Sequence, residues 1–189
     1  MVRSKKAKTA ALVLTAVCMF LSLFVSTVGL DLSAIGVCKG CSTLVRLAYS
    51  FFHASILHAI VNCWCLLSVV FVYDVCMWHL LSAYLIAVTY PANTLFSVGS
   101  GFVAASAATP TIGLSAVCFA LLGMIAFQVK RKLLFHSWVL SFVAAGFIIP
   151  HLCSLCGINV ASPNNVLHIY CYVAGLMVGF LNSPAHGKK

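Results

Sequence analysis

The chain has 189 residues, of which 63% are hydrophobic and only 7% charged, with a formal net charge of +9 and a mean hydropathy of +1.12. Soluble domains carry roughly a quarter charged residues, so this composition cannot cover a water-facing surface and implies a polytopic membrane protein. Two acids, Asp31 and Asp74, are too few for paired-carboxylate chemistry or carboxylate-rich Ca²⁺ and Mg²⁺ cages.

Six apolar stretches approach the roughly 20 residues that cross a bilayer. They predict one all-α, six-transmembrane-helix domain over residues 1–189. The first runs over about residues 9–30, behind Arg3, Lys5, Lys6 and Lys8, and is read as an uncleaved anchor rather than a cleaved signal peptide. The second covers about 51–73 and stops at Asp74. The third covers about 77–96, with Pro91 kinking it or marking its end. The fourth, about 113–129, ends at Lys130-Arg131-Lys132. The fifth, about 133–149, is stopped by Pro150, and the sixth covers about 165–181. With six spans, the basic N-terminus, the Lys130–Lys132 cluster and the C-terminal Lys188 and Lys189 fall on one side. The positive-inside rule makes that side the cytoplasm. Lys39 and Arg46 sit against the trend in the first outer loop. The loop after the third span, rich in small residues from Gly99 to Thr111, is expected to be flexible.

Strongly polar groups in a bilayer are expensive and mark function by default. His58 and Asn62 are four apart on the second span and share a helix face, where two donors could stabilise an oxyanion. His53 falls off that face and is expected to buttress the helix entry. Ser115 opens the fourth span behind Gly113, in a first turn whose backbone N–H groups are unpaired. His168 lies near the start of the sixth span. Gly175 and Gly179 on its face form a small-xxx-small seam that admits close helix approach, so His168 could partner Ser115. With Asp74 on the far side from Ser115, a dyad is expected rather than a Ser-His-Asp triad. Two CxxC pairs, Cys38/Cys41 and Cys153/Cys156, fall on the outer side and are candidates for a Zn(Cys)₄ site, for disulfides, or for free thiols. No other cofactor is implied.

Together these residues resemble the rhomboid family of intramembrane serine proteases. The family's His-x4-His-x3-Asn reads here as His53, His58 and Asn62. Its Gly-x-Ser-Gly is matched by Gly113, Leu114 and Ser115, and its His with a glycine-rich sequel by His168 and the stretch from Ala174 to Gly179. The separations from Asn62 to Ser115 and from Ser115 to His168 are 53 residues each. The resemblance implies Ser115 as nucleophile and His168 as base, with His58, Asn62 and the Ser115 N–H as oxyanion hole. Phe119 falls where the family often has a Tyr packed on the catalytic His. It further implies an endopeptidase in the cell or inner membrane that cleaves transmembrane segments of other membrane proteins near the non-cytoplasmic face. Such substrates would enter beneath the loop after the third span or past the fifth span. Ala116 departs from the family's Gly, Cys171 stands where many members have Gly, and Arg46 only approximates the family's aromatic-Arg pair. Aligning on Gly175 and Gly179 instead would place Tyr172 at the catalytic position. An inactive relative that binds membrane clients and a thiol–disulfide exchanger are the alternative readings.

Overall fold

The computed structural model describes residues 2–29, 31–157 and 163–182. Among these the chain is all-helical, with one isolated antiparallel bridge between Val37 and Thr111. The helices are α1 (Val2–Val28), α2 (Thr43–Ala48), α3 (Ile56–Val72), α4 (Met77–Val88), α5 (Ala92–Val98), α6 (Phe102–Ala108), α7 (Ser115–Ile125), α8 (Lys132–Leu155) and α9 (Asn165–Leu181). Large apolar side chains such as Phe20, Trp64, Trp78 and Leu133 are more than half exposed. In so weakly charged a chain this is a surface suited to lipid rather than water.

By length and apolarity of the described residues, α1 qualifies alone as a span from Lys5 to Val28. The stretch Thr43–Phe51 with α3 qualifies as a pair bent by 85°, and α4 with α5 as a pair bent by 42°. Helix α7 has only 11 residues, about 16 Å at 1.5 Å per residue, well short of a hydrocarbon core. It survives at that length because it is central: every residue from Ala116 to Ile125 is buried, as expected of a helix that is apolar all round. Its walls are α9, α4 and α3, while α1 packs outside α3 and α4, and α8 leans chiefly on α9.

Several expected boundaries shift. The second span begins at Ile56, not at residue 51, because Ser55 caps it by accepting from the His58 N–H at 3.1 Å. The third breaks at Pro91 as expected. Pro150 does not stop the fifth helix, which continues to Leu155. A proline inside a membrane helix is tolerated where neighbouring groups satisfy the freed carbonyl. Helix α9 covers the same residues as the sixth apolar stretch. The loop after the third span is not wholly irregular, since it contains α6 and is tied down. Ala107 and Thr111 accept from the Lys39 and Val37 N–H groups at 2.9 and 2.8 Å, and the Thr111 N–H donates back to Val37 at 3.1 Å. The two basic residues outside the clusters have partners of their own. The Lys39 ammonium lies 3.5 Å from the Phe96 ring centre, and Arg46 donates to the Tyr90 carbonyl at 2.7 Å.

Candidate active site

Along a seam of glycines, helices α7 and α9 meet backbone to backbone. A methyl added at Gly175 would strike the Ala120 backbone, one at Gly123 the Tyr172 carbonyl, and one at Gly179 the Met124 carbonyl oxygen at 2.5 Å. The expected small-residue seam is therefore the contact itself, and it fixes the rotation of α9 against α7. That rotation places His168 Nε2 2.9 Å from Ser115 Oγ. Phe119, one turn along α7, stacks on the His168 ring with centres 4.4 Å apart and planes 13° from parallel. Tyr172, one turn beyond His168, faces elsewhere, its hydroxyl lying 2.6 Å from His136 Nδ1 on α8. Of the two residues that share this face of α9, packing thus sets His168 beside the serine and Tyr172 beside α8. Ala116 and Cys171 are both fully buried in the same core.

The turn before Ser115 is held by two struts. Gly113 donates to the Tyr49 carbonyl at 3.0 Å, and Leu114 donates to His53 Nε2 at 3.2 Å. Because His53 Nε2 accepts, its proton belongs on Nδ1, which faces Ser22 Oγ at 3.4 Å; Ser22 in turn donates to the Cys18 carbonyl at 2.6 Å. His53 thus lies before α3 rather than on it, and links α1 to the serine turn. After these two struts the Ser115 N–H has no such partner among the described residues, as befits the first residue of a helix whose N-cap makes no side-chain hydrogen bond.

Gly113 has φ +116°, a conformation that side-chain-bearing residues rarely adopt. A Cβ there would also lie 2.8 Å from His58 Cε1 and 3.4 Å from Asn62 Nδ2. The glycine therefore brings His58 and Asn62 against the serine turn. Asn62 is buried, and its Nδ2 has no hydrogen-bond partner. A buried orphan amide costs about 1–3 kcal/mol and is a donor awaiting an acceptor. Ser115, His168, His58 and Asn62 all line one cavity of about 1200 Å³ between α3, α7 and α8.

The candidate metal residues are not gathered. Cys38, Cys41, Cys153 and Cys156 are all free thiols, and no three His, Cys, Asp or Glu side chains among the described residues cluster to hold a metal. The reason is local: Cys38 and Cys41 are held beside α6, whereas Cys153 lies on α8 and Cys156 caps it. Burial raises the Cys38 thiol above its ordinary range, the opposite of what a reactive exchanger needs.

Sequence reasoning missed Asn164. It is buried, caps α9 by accepting from the Leu167 N–H at 3.0 Å, and donates to the Ser106 carbonyl at 3.0 Å and Thr111 Oγ1 at 3.1 Å. A readable signal existed, because an Asn just before an apolar helical run is an N-cap signature. Ser22 gave no such signal.

No curated protein and no solved structure matches the chain. The family model for the Rhomboid domain matches residues 41–185, from the CxxC loop through α9, and covers every residue of the Ser115 constellation but none of α1. On that match, over most of its length, the chain belongs to the rhomboid family.

Proposed function

We propose that this protein is an intramembrane serine endopeptidase that cleaves transmembrane segments of other membrane proteins with a Ser115–His168 dyad. The observation that carries the reading is the 2.9 Å approach of His168 Nε2 to Ser115 Oγ across two helices that touch backbone to backbone. His168 accepts the serine proton as Oγ attacks the scissile carbonyl. The developing oxyanion takes hydrogen bonds from the orphan Asn62 amide, from His58 and from the Ser115 N–H. His168 then protonates the leaving amine. A water molecule, deprotonated by the same imidazole, releases the acyl group and restores the serine. Both acids lie off this path: Asp31 bonds to Ser33 in the first loop, and Asp74 lies beyond the other end of α3. The base works without a carboxylate.

In this reading the chain crosses the membrane six times with both termini in the cytoplasm and opens its serine near the non-cytoplasmic face, a topology that the distribution of basic residues supports. Substrate reaches it between α3 and α8, where Trp64 and Trp138 border the cavity and stand largely exposed.

The test is labelling of the membrane-embedded protein by a fluorophosphonate, together with cleavage of a model transmembrane substrate. Labelling and cleavage are expected in the wild type. Ser115→Ala or His168→Ala should lower cleavage by at least about three orders of magnitude, the scale on which members of such a unit act. A folded wild type that neither labels nor cleaves would instead be a relative that binds membrane clients.

A further inference from the structure

The cavity that holds Ser115 does not end there. It follows α7 past Cys118 and Leu122 to Val129 and Arg131, about 16 Å of helix and then the turn into α8. Between these ends its walls are apolar, including Val69, Leu134, Phe135 and Val139. Trp64, Leu134 and Trp138 at its rim are more than half exposed, so the space opens sideways onto the surface that faces lipid. Away from its polar end at Ser115, an apolar space in that position is a poor container for water and a good one for hydrocarbon.

Arg131 is the one Lys, Arg, Asp or Glu among the lining residues, and it lies at the end opposite the serine. Lys130 and Lys132 flank it in sequence, whereas Asp74 is the one acid at that end, tied to the α7–α8 turn by its N–H donating to Gln128 Oε1 at 3.2 Å. The Lys132 ammonium lies 5.6 Å from the Phe127 ring centre, off the cavity. The local balance is positive. A zwitterionic head group would bring its own cation beside these bases, and an anionic one would not.

From this apolar channel with one basic end we propose that the cavity binds a single anionic phospholipid, its head group on Arg131 and an acyl chain running along α7 toward Ser115. The lipid fills the entry between α3 and α8 and must leave before a transmembrane helix can take its place. This rests on the membrane setting and on the cavity, not on proteolysis.

The full-length protein, reconstituted in phosphatidylcholine with or without phosphatidylglycerol, tests it by native mass spectrometry of retained lipid, with melting temperature recorded as the check on folding. Wild type should retain one phosphatidylglycerol about fivefold more than phosphatidylcholine, the ratio equivalent to the about 1 kcal/mol that a basic side chain contributes near a membrane surface. Arg131→Gln should remove that preference, Lys130→Gln should keep it, and Ser68→Trp on the cavity wall should lower retention of both lipids. Equal retention of the two lipids by wild type overturns the proposal. So does equal loss in the Lys130 and Arg131 variants, which would mean diffuse surface charge. None of these readouts needs an active Ser115, so failure of the lipid site and failure of the protease reading remain distinguishable.

Discussion

Helix α7 meets its two C-terminal neighbours in opposite ways. Against α9 it packs through glycines, with Gly123, Gly175 and Gly179 each lying against backbone of the other helix. Beside α8 it leaves a cavity of about 1200 Å³, and α8 leans mainly on α9. Backbone-to-backbone contact has no side chain to adjust, so it fixes position to a fraction of an ångström. A helix held along one side can tilt. A Ser–His pair that must be pre-aligned and a substrate that must enter from the bilayer make contrary demands, and the chain meets them on two sides of one helix.

The rigid side should break hardest. Gly175→Val puts a branched side chain into the Ala120 backbone and has no rotamer that avoids it. We expect destabilisation by at least about 3 kcal/mol, at the top of the overpacking range, with loss of folded protein in a thermal melt. A variant that melts within a few degrees of wild type would mean that the seam is looser than its geometry implies.

Gly113→Ala is next in size and separates alignment from folding. The methyl would displace His58 and Asn62 and force a residue with Cβ to φ +116°. Loss of oxyanion donors lowers turnover by about 10²–10³, whereas strain at one loop residue costs about 1–3 kcal/mol. Cleavage should fall by at least that factor while the protein still folds, as read by helical circular dichroism beside the rate. Asn62→Ala should match the rate loss without the strain.

The contrast also governs what could be read from the sequence. Contacts that use regular spacing were legible: the seam of Gly175 and Gly179, the shared face of His58 and Asn62, and the extent of α9. Helix length on the loose side was not, because the proline rule describes helices in water, and α8 passes through Pro150. One feature of the site was hidden for another reason. His53 precedes its helix and joins Ser22 to the Leu114 N–H, across 31 and 61 residues, and no periodicity encodes such a link. His168 is favoured over Tyr172 in sequence by its spacing from Ser115 and because a tyrosine is no base at neutral pH, although both share one face. Only the depth of the α7–α9 contact turns one to Ser115 and the other to His136.

The smallest expected effect probes the loose side. The hydrogen bond between Tyr172 and His136, 2.6 Å long, is a polar tie between α8 and the helix that carries the candidate base. Tyr172→Phe removes the hydroxyl and keeps the ring, which lies clear of Ser115. One net hydrogen bond is worth about 1 kcal/mol, which lowers the melting temperature of a chain this size by about 2–4 °C. The effect on cleavage should have the opposite sign. If α8 must yield for a transmembrane helix to enter, loosening it raises the rate at limiting substrate, while labelling by a small fluorophosphonate stays unchanged. His136→Ala should act in the same direction, and the double variant should add little to either single one, since both remove the same bond. Equal falls in cleavage and labelling would instead show that the tie aligns His168, and would move α8 to the rigid side of the comparison.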